Sequence, residues 1–364
     1  MIVVDAHLDI AFNAVELGRD YLINAHEKRR MEAGTPVAAT SGQPTIGLPD
    51  SLLGRVGIVF GTLYVEPARS HGMIASGFSQ NRYSTPREAY TLALRQLDYY
   101  QRLFDNDSRL RPIRSQKELD EVLATWKAGQ PAASHVQGMV LLMENADPIL
   151  EPRQFEEWYE RGVRVVGPAW SGTRYCGGTG EPGPLTALGH ELLDVMASFN
   201  ALLDLSHMAE ESFFEALDRY TGHLIASHSN PRRFVGDADD ARQRQLTDMQ
   251  IRRLVERDGV IGAVPFNVFL QEGWKKGDPR LPVSRFLDAI DAICQLAGSA
   301  AHVGIGTDFD GGFGVESIPE PLDTTTDLWS LGDLLNQRGY SQADVEAILC
   351  GNLLRKLRAI LPAA

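Results

Sequence analysis

Eight short, almost unbroken apolar runs are spaced along the chain, and segments with helical periodicity separate them. The runs fall near residues 2–5, 57–65, 138–143, 163–168, 201–206, 223–228, 259–265 and 302–307. A strand of a parallel sheet is covered by helices on both faces, so it loses the apolar–polar alternation of a half-exposed strand and reads as a continuous run. Between the runs, residues 87–104, 188–199, 246–257 and 283–297 place apolar side chains at helical spacing. Thr247 and Gln250 have the spacing of a capping box, which starts the third of these helices. Eight strands alternating with helices predict a (β/α)8 barrel, with an open doubly wound sheet as the alternative. The chain shows no repeat, low-complexity tract or linker, so its 364 residues are expected to form one domain, 1–364. Residues 18–50 and 66–86 are too long for simple connections. Both follow early strands, on the side where such a barrel carries its site, and they are candidate lids.

The charge balance narrows the partners. The formal net charge is −13 and no basic run occurs, so nothing offers a footprint for nucleic acid or an anionic membrane. No stretch of 18 apolar residues is present, and the opening MIVVDAHLDI lacks the basic segment of a signal peptide. Three widely spaced cysteines without a CxxC pair fit a reducing, cytoplasmic compartment. The expected partner is a small-molecule substrate. A homo-oligomer is compatible with the sequence but not required by it.

Polar residues at the ends of the runs carry the chemistry. His7 and Asp9 close the first run; in extended chain, residues i and i+2 share a side, so an imidazole and a carboxylate can grip one cation. Glu144 follows the third run, His207 the fifth, His228 the sixth and Asp308 the eighth. Each alone also reads as a hydrogen-bonded histidine, a turn aspartate or a helix cap. Together they stand where a closed barrel gathers its strand ends at one mouth, which favours a metal site. The imidazole–carboxylate mixture suits zinc, manganese or iron better than calcium or magnesium. One four-coordinate ion cannot use so many ligands, whereas two ions sharing a carboxylate can, and such a pair clamps a bridging hydroxide that is nucleophilic at neutral pH. The chain has no phosphate-binding loop, no dinucleotide fingerprint and no G-x-S-x-G elbow. Metal-assisted hydrolysis is the chemistry expected.

The same residues sit in recognisable segments: DAHLDI, ENADP, GPLTALGHELL, LLDLSHMAEESFFEAL, IASHSNPR, RQLTDMQI, HVGIGTDFDGG and GNLLRKL. In this order they resemble the renal (membrane) dipeptidase family, the M19 metallopeptidases of the amidohydrolase superfamily, over almost the whole length. The resemblance implies a distorted (β/α)8 barrel and two zinc ions, one on His7 and Asp9, the other on His207 and His228, with Glu144 bridging them. It implies that Arg244 meets the substrate's C-terminal carboxylate, with Arg242 as the neighbouring candidate. Asp308 would hold the substrate amine and shuttle the proton, while Asp310 orders the loop.

Two positions depart from the family pattern. Trp170 stands after the fourth run, where characterised members carry a histidine that helps to polarise the scissile carbonyl, and Asn145 replaces the glycine that commonly follows the bridging glutamate. The expected activity is cleavage of dipeptides. The alternatives are another small amide, such as an N-acyl amino acid or modified dipeptide, or a metal-binding relative with weakened catalysis.

Overall fold

The computed structural model describes residues 1–69, 82–239 and 242–363. Eight parallel strands close on themselves: β1 (Val3–Leu8), β2 (Val56–Tyr64), β3 (Gln137–Glu144), β4 (Val163–Gly167), β5 (Leu202–Asp204), β6 (Leu224–Ala226), β7 (Val260–Ala263) and β8 (Val303–Ile305). Each pairs with its neighbour in sequence, and the ring closes where β1 pairs with β8, Asp5 standing opposite Ile305. The eight apolar runs are these eight strands, and the closed barrel rather than the open sheet is the architecture. A further short strand, Leu110–Pro112, lies against β3 outside the ring.

The strands read as continuous apolar runs because both of their faces are buried. Val4, Ala6, Ile58, Phe60, Val140 and Leu142 join one apolar cluster with Leu353 and Leu357 of the C-terminal helix, Asn352–Ile360. Val3, Val59, Leu63, Leu141 and Met143 join another with Leu97 and Tyr100 of the helix Pro86–Asn106. The helices start and stop on local signals. Thr247 and Gln250 form the expected reciprocal capping box at the head of Asp248–Glu256. Val283–Ala297 ends on Gly298 in the left-handed conformation, where a glycine meets no Cβ penalty. The GNLLRKL segment acts at the opposite end of the barrel from the mouth, where Asn352 donates to the carbonyls of Ala300 and Val303, each at 2.7 Å.

Of the two candidate lids, residues 18–50 carry the helices Ala25–Glu32, Pro36–Ser41 and Leu48–Leu53. They are tied to the loop after β8: Thr45 donates its N–H and hydroxyl to Asp310, both at 2.7 Å, and Val315 donates to the Gln43 carbonyl. Part of the second candidate, residues 70–81, lies outside the described residues.

Candidate metal centre

The C-terminal ends of the strands converge as expected. His7 sits in β1, and Asp9 stands at the N-cap position of the helix that follows without a side-chain capping bond, which leaves its carboxylate to face the cluster. Glu144 is the last residue of β3, His207 and His228 follow β5 and β6, and Asp308 follows β8. All six are buried, none more than 9% exposed.

Glu144 lies between two groups. Its Oε1 is 3.2 Å from His207 Nε2 and 3.4 Å from His228 Nε2, and these two nitrogens are 3.0 Å apart. Its Oε2 is 3.5 Å from His7 Nε2, which is 3.8 Å from Asp9 Oδ1 and 3.9 Å from Asp308 Oδ1. Among the described residues three sets of donors are each close enough to share an ion: His7–Asp9–Glu144 and Glu144–His207–His228, which Glu144 joins, and His7–Asp204–His228. His7 Nε2 is a buried nitrogen with no hydrogen-bond partner, and an orphan of this kind needs an explanation in a native fold. A cation held by imidazole and carboxylate supplies one, so the donor set fits a metal.

The electrostatics agree. Burial alone would pull His7 down, but Glu144, Asp9 and Asp308 reverse this and lift it to about 10, so the spot favours positive charge. Burial pushes Asp9 up to about 6 against the pull of His7, with Glu144 adding to the rise. Burial also raises Asp308 well above the usual carboxylate range, and the carboxylates of Asp9 and Glu144 add to it against the pull of His7. Glu144 is held well below its usual range because its three histidines outweigh its burial. His207 is lowered to about 4, by burial and then by nearby Arg244, and His228 is held well below its usual value, by burial and then by His7 and Arg244. Carboxylates crowded together in low dielectric are costly unless a cation joins them.

The local backbone explains why these residues can meet. Asn145, His207 and Asp308 all have positive φ, at 74°, 66° and 56°. Left-handed residues other than glycine cluster at functional sites, where the surrounding structure holds the strain. Asn145 thereby accounts for one departure from the family pattern: the position needs positive φ, and asparagine tolerates it better than most L-residues. Its side chain donates to the Val65 carbonyl and the Tyr83 hydroxyl and accepts from Asp147 N–H, fixing the turn behind Glu144. Gly311 is required for a different reason, since a Cβ there would stand 2.0 Å from Asp308 Oδ1.

The cluster opens into a cavity of about 400 Å³. Arg244 and Asp308 both line it. Arg244 is 4% exposed; it donates to the His228 carbonyl at 2.9 Å and lies over the Phe269 ring at 4.9 Å. Arg242 also lines the cavity, but Arg244 is the arginine whose charge is felt at His207, His228 and Asp308. Asp310 orders the loop by accepting from Thr45. Trp170 is half-buried at the cavity wall, its ring 5.3 Å from Tyr64 and 6.1 Å from His207.

Some residues escaped the sequence reading. Phe12, Tyr64, Phe266 and Phe269 give the cavity its aromatic walls, and in sequence they look like any strand-end core residue. Thr62 donates its hydroxyl to Asp9. Thr179 lies between the antiparallel strands Cys176–Gly178 and Glu181–Leu185, an insertion after β4, and its Oγ1 is 3.0 Å from His207 Nδ1. No spacing rule joins Thr179 to a histidine 28 residues away.

The match to known proteins is then direct. Residues 1–363 fit the family model described as membrane dipeptidase, peptidase family M19. The chain belongs to that family. It is 31% identical over 219 residues to the "Uncharacterized protein in pqqA 5'region" of Klebsiella pneumoniae, covering 58% of this chain and 77% of that protein. It is 24% identical over 312 residues to dipeptidase tcpJ of Claviceps purpurea, covering 84% of this chain and 67% of the other. Among solved structures, a metallo peptidase from Rhodobacter sphaeroides, liganded with a phosphinate mimic of the dipeptide L-Ala-D-Ala, has the same fold at a TM-score of 0.78 and 21% identity, covering 99% of each chain. The M19 chain is thus a (β/α)8 metallohydrolase of the dipeptidase family. No helix among the described residues is long and apolar enough to cross a membrane.

Proposed function

We propose that the whole chain is one hydrolase domain that binds two zinc ions and cleaves the amide bond of dipeptides. The observation that carries this reading is Glu144, with one oxygen facing His207 and His228 and the other facing His7. His7, Asp9 and Glu144 would hold one ion, and Glu144, His207 and His228 the other. When bound, the pair supplies a water of lowered pKa as nucleophile and a Lewis acid for the carbonyl oxygen. The protein does the rest. Arg244 captures the substrate carboxylate by charge-assisted hydrogen bonds. Asp308 receives the substrate amine and passes a proton to the leaving nitrogen. The aromatic walls exclude water and hold the side chains of the substrate. The test is metal content and dipeptide turnover, with and without chelator. Protein prepared without chelator that contains no metal refutes the reading.

Arg244→Ala should chiefly raise KM for substrates with a free carboxylate. A hydrogen bond to a charged group contributes about 1.5–3 kcal/mol, so kcat/KM should fall roughly 10–150-fold, with little loss on substrates whose carboxylate is amidated. If that preference survives the substitution, Arg242 becomes the candidate.

Trp170 sets what the site prefers. Indole has one N–H donor and no titratable group, so it cannot take over the acid–base range of imidazole. Its place beside Tyr64 and His207 supports a flat apolar wall for the substrate. Trp170→Phe should lower kcat/KM most on large or flat substrates, and Trp170→His should shift the profile toward small dipeptides. A dipeptide panel on which both variants match the parent assigns the ring to packing alone.

A further inference from the structure

Beneath the metal-binding cluster is a hydrogen-bond network on the far side of the histidine rings from Glu144. Asp204, the last residue of β5, is 1% exposed. Its Oδ1 accepts the backbone N–H groups of Ser206 at 3.0 Å and Ser227 at 2.8 Å, and its Oδ2 accepts the Ser227 hydroxyl at 2.5 Å. A serine hydroxyl has one proton, and here the carboxylate takes it. Only lone pairs then remain on Ser227 Oγ. They face Nδ1 of His228 at 2.8 Å and, less closely, Nδ1 of His7 and the hydroxyl of Ser206, each at 3.4 Å. In each histidine contact the ring nitrogen must therefore be the donor. A neutral imidazole carries one N–H, so once a metal cation replaces the extra proton that the carboxylates favour on His7, a proton on Nδ1 leaves Nε2 with a bare lone pair. Nε2 is the atom that each ring turns toward Glu144.

We propose that Asp204 and Ser227 form a positioning relay in which a single serine hydroxyl, oriented by the Asp204 carboxylate, holds one histidine from each of the two metal positions in the tautomer that can bind metal. The inference rests on the dinuclear reading above and goes beyond its ligand set. Metal-bound histidines commonly donate their second nitrogen directly to a carboxylate or carbonyl. Here a hydroxyl is interposed, so one carboxylate reaches two rings and still accepts two backbone N–H groups. The relay joins the two positions from below, as Glu144 joins them from above. Close packing holds it in place: the chain just after β8 passes so near that a Cβ on Gly306 would stand 1.8 Å from the Ser227 carbonyl oxygen. His207 is served separately. Its Nδ1 faces Thr179 Oγ1, whose proton is directed to the His207 carbonyl, a weaker 3.4 Å contact.

That separation provides the test. Metal-free protein is titrated with Zn²⁺ in competition with a chromophoric chelator. In Asp204→Asn the amide oxygen can still accept the two backbone N–H groups, but the NH₂ now donates to Ser227. The serine proton is redirected to His228 Nδ1, and the ring must protonate Nε2, where the metal should bind. Affinity for zinc is expected to fall about 10–100-fold in Asp204→Asn, and Ser227→Ala should weaken both positions. Thr179→Val should weaken only the position that contains His207. Asp204→Asn and Ser227→Ala also lose a buried hydrogen bond and should lower the melting temperature of the metal-free protein, so the deciding readout is the split in zinc affinity between the two positions, which a merely structural role would not produce.

A second measurement needs no variant to fold. In the Co²⁺-loaded wild-type protein, the Nδ1–H signals of His7 and His228 should exchange slowly with water, as expected of donors to a buried hydroxyl. Fast exchange of both overturns the relay, as does wild-type zinc affinity in Asp204→Asn and Ser227→Ala. Wild-type protein that binds no metal overturns the dinuclear reading itself, and the relay with it.

Discussion

Glu144→Gln is expected to leave the protein folded but unable to keep its metal, and to abolish nearly all turnover. The carboxylate offers an oxygen to each side, with Oε1 within 3.4 Å of two histidine nitrogens and Oε2 at 3.5 Å from a third. An amide has one oxygen and one NH₂, and the NH₂ cannot ligate a cation. One side therefore loses its ligand, and both lose the negative charge that offsets two cations. The loss should exceed the roughly 10–100-fold in affinity that removal of an outer partner costs. The fold should survive, because glutamine has nearly the same shape and Glu144 ends a strand whose apolar residues are untouched. Elemental analysis after dialysis, beside a melting curve of the metal-free protein, separates the two effects. A variant that keeps two ions per chain and turns over dipeptides would show that Glu144 is not the bridge.

The sequence made eight parallel strands legible because coverage on both faces leaves a trace, whereas closure itself appears only in the pairing of β1 with β8. Strands covered on both faces are apolar throughout, and helices carry their own caps, as Thr247 and Gln250 do. It made the candidate ligands legible because a charged or titratable side chain directly after an apolar run has few roles. Other features were not readable for identifiable reasons. Thr179 reaches His207 from the glycine-rich hairpin turn at Thr179 and Gly180, which marks a turn in the sequence but not what that turn touches, and Asp204 and Ser227 look like ordinary polar residues at strand ends. Their roles depend on which ring nitrogen they face, and spacing carries no information about that. Asn145 shows a middle case. As a replacement for a family glycine it looked like a departure, yet its φ of 74° shows that it keeps the backbone conformation which glycine would supply. The candidate lid at 18–50 was recognisable as an insertion, whereas its attachment through Thr45 to Asp310 joins residues 265 apart in sequence.

Asp308→Asn should separate binding from chemistry. Asp308 reaches into the same cavity as Arg244 and lies 3.9 Å from His7 Nε2. Its backbone is left-handed, with φ 56°, and asparagine adopts that conformation as readily as aspartate, so the substitution should not disturb the loop. The backbone anchor, Asp308 N–H to the His7 carbonyl, is unaffected. What changes is the proton. Burial and the neighbouring carboxylates hold Asp308 well above the usual carboxylate range, so it keeps a proton more readily than a free aspartate, in keeping with the proposed proton transfer. An amide can do neither, although its oxygen can still accept a hydrogen bond from the substrate amine. The expected result is a kcat lowered by about 10²–10⁴, the usual contribution of general acid–base catalysis, with metal content unchanged and a smaller change in KM. Steady-state kinetics on metal-replete protein reads both parameters. A raised KM with kcat intact would leave Asp308 as a binding residue for the amine, and the proton would then have to reach the leaving nitrogen by way of Glu144 or solvent.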